Sequence, residues 1–298
     1  MAKLLVDCRV LKVVALLTFI LVSGCMSSKG EWNHFEKPTG TGNIFPLFAK
    51  ANRQIGEADN REKVMELIHT YESVLRIDPA NYEALWSLGS YCLLVGMAYP
   101  DNMDEKEDYY KKAIKSCERA MHTNPDFRGL TAQGEKPWEA CGALSKREIA
   151  AMYYWYAAQS AYWTECLGRT GKLLNRKLPS RISKMMKRIG EVDPSWEEGQ
   201  AYYAKAVYYS ILSGLYGGDL KKAAHFFKRC IKEGPDRLSR RWGRAKKLYT
   251  RKDNRKGFQE DLEWVIAQYP KSAEGQYPWN VYYQRDAKEM LSKIEDYF

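Results

Sequence analysis

Apolar residues recur four and three positions apart ahead of five prolines in this chain. Leu67, Tyr71 and Val74 precede Pro79; Ala113, Cys117 and Ala120 precede Pro125; Ile182, Met186 and Ile189 precede Pro194. The same offsets hold for Ala223, Phe227 and Cys230 before Pro235, and for Phe258, Leu262 and Val265 before Pro270. Residues spaced this way fall on one stripe of an α-helix, the stripe that buries. A proline just past the stripe stops the helix, because it has no N–H to donate and biases the residue before it away from helical angles. The pattern predicts five helices, each apolar on one side and closed by proline. Strand-like alternation is scarce.

Partner helices are visible between them. Leu85-x2-Leu88-Gly89-x2-Cys92 follows Pro79, and Trp242-x2-Ala245-Lys246-x2-Tyr249 follows Pro235, with a weaker version in Tyr203-Ala204-x2-Val207 after Pro194. These resemble the first helix of a tetratricopeptide repeat (TPR), in which a small residue lets the two helices of a hairpin approach closely. Lys246 is a poor small residue. The expected fold is all-α: a TPR-like helical-hairpin solenoid, a right-handed superhelix of about five hairpins, over residues 45–298. The spacing is irregular. Pro79 to Pro125 exceeds the usual period of about 34 residues, with extra residues around Tyr99 to Met103. Pro125 to Pro194 is longer still, and reads as a loop from Asp126 to Gly142 and then a helix from about Ser145 to Leu167. Such insertions fall on loops at one rim of a solenoid, often the functional rim.

The first residues follow another pattern. Lys3, Arg9 and Lys12 precede a run, Val13 to Val22, that is apolar apart from Thr18. This is the charged and then apolar plan of a secretory signal, too short for a bilayer span of about 20 residues. Val22-Ser23-Gly24-Cys25 resembles the bacterial lipobox, which implies cleavage before Cys25 and lipid on its sulfur. Residues 1–24 are then a lipoprotein signal peptide, and residues 25–44 a lipidated N-terminus and tether, rich in Gly, Ser and Thr and without helical period. Acyl chains in plural hold a protein stably on a membrane where one binds only marginally. Met26, rather than Asp, follows the cysteine, so the outer membrane is expected before the inner, with the domain facing the periplasm.

Composition changes the picture in two respects. The formal net charge is +10, and the signal's Lys3, Arg9 and Lys12 against Asp7 leave +8 on the mature chain. An exported protein has little use for nucleic acid, so an acidic partner, anionic lipid heads, an anionic ligand or simply a solvated helical face suits the charge better. After Cys25, five cysteines remain: Cys92, Cys117, Cys141, Cys166 and Cys230. They sit among apolar residues without CxxC or metal spacing, as buried thiols do. Cys92 and Cys117 would face each other across one hairpin and are the disulfide candidate. Cys141 and Cys166 would lie at opposite ends of one long helix.

Catalytic signatures are missing. There is no G-x-S-x-G, HExxH or P-loop, and the four histidines lack metal spacing. The reading is non-enzymatic, with no cofactor and no metal. Carboxylates such as Glu197 and Glu198 are expected in first helical turns, complementing the dipole. The stretch Ala151 to Trp163 (AMYYWYAAQSAYW) is aromatic on too many faces for a surface helix, so it belongs in the centre, as solenoid core or as the wall of an apolar cavity.

At this point the sequence resembles the T-component lipoproteins of tripartite (TRAP) transporters. The residues that carry the likeness are the lipobox, Tyr153 to Trp163, Gly217 to Ile231 (GGDLKKAAHFFKRCI), Ala245 to Ile266 and Asn280 to Leu291 (NVYYQRDAKEML). The resemblance implies a TPR-like protein that docks a periplasmic solute-binding protein and binds or passes a small organic ligand during uptake. By matching position, Tyr154, Trp155, Asn280, Gln284 and Arg285 are the cavity residues, with Arg285 available to an anionic ligand. Alternatively, Asn280 caps the last helix and Arg285 binds a carboxylate within the fold. A homo-oligomer is compatible with either. The competing reading is an outer-membrane assembly or pilotin-type TPR scaffold for extended peptides. It predicts an open groove, whereas the transport reading predicts an internal cavity lined by Tyr154 and Trp155.

Overall fold

The computed structural model describes residues 35–298. The expected signal peptide, the expected lipidation site Cys25 and the expected tether up to residue 34 lie outside the described residues. Of the remaining residues expected as tether, Thr39 and Gly40 both donate their N–H groups to the Arg76 carbonyl at 2.9 Å.

The described chain is all helical, with no strand. In chain order the helices are α1 (Phe45–Ile55), α2 (Arg61–Ile77), α3 (Tyr82–Ala98), α4 (Met103–Met121), α5 (Pro125–Ala132), α6 (Pro137–Ala140) and α7 (Ile149–Ala161). They continue with α8 (Arg169–Leu174), α9 (Leu178–Val192), α10 (Trp196–Ile211), α11 (Leu220–Glu233), α12 (Leu238–Arg244), α13 (Arg255–Ala267) and α14 (Tyr277–Ser292). They pack as successive helical hairpins, a TPR-like arrangement. The five proline-closed helices are α2, α4, α9, α11 and α13, and every stripe residue named above is buried. Many helix starts are set locally. Asn60, Asn81, Asn102 and Asn124 each turn a side-chain oxygen onto the N–H groups that open α2, α3, α4 and α5, at 2.9–3.0 Å. Asp219 and Asn254 do the same for α11 and α13. Such caps satisfy N–H groups that have no partner inside the helix.

The long insertion differs from expectation. The stretch expected as a loop from Asp126 to Gly142 contains α5 and α6, because Asn124-Pro125 and Pro137 each supply a helix start. The aromatic helix begins at Ile149 and widens into a π-turn, Tyr162–Cys166. Cys141 therefore lies in a turn ahead of that helix and not on it.

α3 and α4 form the closest hairpin, and glycine permits it. A Cβ on Gly89 would lie 2.5 Å from the Cys117 sulfur, and one on Gly96 would lie 2.7 Å from the Tyr110 ring. Cys117 fills the space left by Gly89 as a small hydrophobe. All five described cysteines are free thiols, so Cys92 and Cys117, singled out for a disulfide, are unbonded here.

α7 sits centrally, packed on α3 and α4 and also on α9 and α10. α14 then returns onto α3: the Trp279 indole N–H donates to Ser90 Oγ at 3.1 Å, and Arg285 donates to the Ala98 carbonyl at 2.6 Å. These contacts join residues almost 190 positions apart and close the row of hairpins around α7. One hydrophobic cluster runs from Ala51 to Met290, and a second, smaller one joins α10 to α11.

Candidate functional site

Closure leaves a cavity of about 290 Å³ between α7, α10, α12 and α14. Its wall is aromatic. Tyr154 stacks on Trp279 at 6.5 Å and Trp279 on Tyr283 at 5.8 Å, Tyr283 leans on Trp242 at 4.8 Å, and Trp86, outside the lining, backs Tyr154 at 5.9 Å and 5°. Tyr153, Tyr156 and Tyr203 complete the wall, with Leu93, Met97, Val207 and Ile211 between them. Burial pushes the Tyr153 phenol up to about 12 and those of Tyr154 and Tyr156 higher, so the wall offers neutral hydroxyls and no charge.

The mouth is polar. Glu197, Arg237, Ser239, Glu274, Gly275 and Gln276 line it. Arg237 binds two carboxylates at once, Glu197 at 3.0 Å through Nη1 and Glu198 at 2.8 Å through Nε. Those acids were expected in an ordinary first turn. Instead Glu197 (φ 43°), Glu198 (φ 53°) and Gly199 (φ 83°) are left-handed, a conformation that costs a non-glycine residue energy and is held here by Arg237. Arg240, fully buried beneath, donates to the Glu197 carbonyl at 3.0 Å and lies 5.0 Å from the Tyr203 ring; its Nε and Nη1 have no hydrogen-bond partner.

The opposite end of the cavity carries charge. Glu165 accepts from Lys106 at 2.8 Å and from the Tyr110 hydroxyl at 2.7 Å. Burial alone would raise its carboxyl, but the ammonium groups of Lys247 and Lys106 and both hydrogen bonds outweigh that and hold it below the usual range. Lys247 faces it. Burial lowers the Lys247 ammonium, Glu165 opposes that shift, and Lys246 adds to it. Here a second pocket of about 430 Å³ adjoins the first, sharing Met97, Glu165, Ile211 and Lys247. Four cations line it, Lys106, Lys246, Lys247 and Arg251, against two acids, Glu165 and Asp286. Lys106 holds Glu165, Lys246 holds Asp286 at 2.9 Å, and Arg251 donates to the Ser210 and Leu212 carbonyls. Among the cations lining this pocket Lys247 is left with neither an ion pair nor a hydrogen bond, with only the Trp242 ring 5.9 Å from its nitrogen.

The structure divides the sequence-derived residues. Tyr154 and Asn280 line the cavity. Trp155 faces away from it, fully buried, and donates its indole N–H to Glu118 at 2.9 Å. Adjacent helical positions point about 100° apart, so Tyr154 and Trp155 do not share one wall. Asn280 is inside α14 and does not cap it; it donates to the Pro270 and Ala273 carbonyls at 3.1 and 3.0 Å and pins the loop before the helix. Gln284 donates to the Ile266 and Gln268 carbonyls, outside the lining. Arg285 meets a carbonyl rather than a carboxylate and stacks 4.3 Å over Tyr99, also outside the lining. Sequence reasoning missed Glu165, Lys247 and Arg237. Glu165 carries a signal in retrospect, as the lone acid between Ile149 and Leu167. Lys247 carries none, being one of many cations between Arg237 and Lys247. No group of three or more His, Cys, Asp or Glu is placed to hold a metal among the described residues.

The model of a family described as TRAP transporter T-component matches residues 64–298. No curated protein matches the chain.

Proposed function

Because the chain belongs to the TRAP transporter T-component family, we propose that it is a non-enzymatic, periplasm-facing lipoprotein that docks a TRAP-type solute-binding protein and takes that protein's ligand into the aromatic cavity. The return of α14 onto α3 carries this reading, because it closes an open row of hairpins over a cavity. A scaffold for extended peptides needs the open groove that this contact closes. Ligand sites are concave, mostly apolar and set with a few polar groups, and the cavity has that composition. Its ligand is an organic molecule with an apolar or flat body against Tyr154, Trp279 and Tyr283 and an anionic group towards Lys247. An ammonium without an ion pair in a partly dehydrated place is the group such an anion would neutralise. Cys25 supplies the anchor, and the outer membrane is its expected location.

The test is to mix residues 26–298 with the host's TRAP-type solute-binding protein and follow complex formation by analytical ultracentrifugation and bound small molecules by native mass spectrometry. The reading expects a complex, and an organic anion whose occupancy in the T-component falls in Lys247→Met and in Ala157→Trp, which fills the cavity. Absence of a complex and of any bound molecule, in a folded protein, would sink it.

A further inference from the structure

We propose that one rim of the domain, where three helix–helix connections meet, lies on an anionic lipid surface. The first connection runs from α7 to α9 and includes α8. From Leu167 to Lys177 it has four Lys and Arg and no Asp or Glu. Arg169, Arg176 and Lys177 are exposed, and no hydrogen bond or ion pair engages their side chains among the described residues. The second connection, α10 to α11, adds Lys221 and Lys222 against Asp219. The third, ahead of α13, adds Arg251 and Lys252 against Asp253. Contacts bring them together. Trp163 has the Lys172 ammonium 5.8 Å over its ring on one side and Tyr216 at 5.3 Å on the other, while Arg251 donates to the Leu212 carbonyl at 2.8 Å.

The same rim exposes large apolar side chains. Leu215 is 96% exposed on the turn between α10 and α11, and Leu173 and Leu174 are 64% and 51% exposed on α8. An apolar tip is costly in water, and Arg169, Arg176 and Lys177 lack partners there; an anionic headgroup layer satisfies both needs. No helix among the described residues is long and apolar enough to cross a membrane, so the rim would rest on the surface. The acid-bearing start of α4 meets the end of the aromatic helix, where the Tyr162 hydroxyl donates to Glu107 at 3.5 Å. The inference is independent of the cavity's ligand and of the lipid on Cys25.

The test uses residues 26–298 without the lipid, which retain the whole described core, in flotation with vesicles of phosphatidylethanolamine and phosphatidylglycerol or of phosphatidylcholine alone. Binding is expected to the anionic vesicles only. Arg169→Gln/Arg176→Gln/Lys177→Gln should weaken it on the order of a hundredfold, whereas Lys37→Gln/Lys50→Gln/Arg53→Gln, an equal loss of charge on exposed residues around α1, should leave most of it. Leu173→Ser/Leu215→Ser should remove what binding survives high salt, where charge is screened. Circular dichroism confirms that each variant is folded. Equal binding to both vesicle types, or equal weakening by the two charge variants, overturns the proposal; absence of binding also does so and leaves the cations to an acidic protein.

Discussion

Trp155 donates its indole N–H to the carboxylate of Glu118 at 2.9 Å, and both side chains are buried, one on α7 and one on α4. Burial pushes the Glu118 carboxyl up to about 7, and the Trp155 hydrogen bond opposes that only in part. The folded chain therefore holds a proton on Glu118 that the unfolded chain, with a carboxyl near 4.5, releases. Where the native state binds more protons, stability falls as pH rises. Glu118 should cost stability progressively from pH 4.5 to pH 7, up to about 3 kcal/mol. Urea unfolding at pH 5 and pH 8 checks this: Glu118→Gln should be the more stable protein at pH 8, with the gap closing at pH 5.

Gly89 and Cys117 fit because one lacks the Cβ that the other's sulfur would meet at 2.5 Å. Gly89→Ala should destabilise by about 1–3 kcal/mol through overpacking, and Cys117→Ala in the same chain should recover most of it. Simple additivity in a double-mutant cycle would contradict the contact. Burial also pushes the Cys92 thiol up to about 12 and raises that of Cys117 well above its usual value. At pH 8 neither should react with a thiol reagent until the chain unfolds, while the half-buried Cys166 should react first.

Asn280 ties the loop that forms part of the cavity mouth. Asn280→Ala removes the donor that two carbonyls share at 3.0 and 3.1 Å in a buried position. A loss of about 1–3 kcal/mol is expected, together with faster amide exchange across residues 270–276. Unchanged exchange there would show that the loop is held by other contacts.

Asp253 is left-handed (φ 52°) and exposed. Asp253→Gly should raise stability by about 0.5–1 kcal/mol, because glycine takes this conformation without a Cβ clash. Thermal unfolding measures it. At Glu198, also left-handed, the same change should gain less, since it also removes the 2.8 Å ion pair to Arg237.

The sequence by itself determined the helices. Period and proline located α2, α4, α9, α11 and α13, because burial of one stripe and the geometry of proline act within a few residues of chain. The same local logic placed the aromatic helix in the centre and identified the family. It went astray between Asp126 and Gly142, where an insertion outside the repeat pattern was read as loop although Asn124-Pro125 and Pro137 were helix starts. It assigned Trp155 to the wall, because a motif names neighbours in sequence and a helix points them apart. Tertiary structure alone decided that α14 returns onto α3, that Trp279 meets Ser90, and that Lys247 stands by Glu165 without an ion pair of its own. Those relationships join residues tens to hundreds of positions apart. They depend on how each hairpin is rotated on the last, a quantity that accumulates along the solenoid and that no local spacing records.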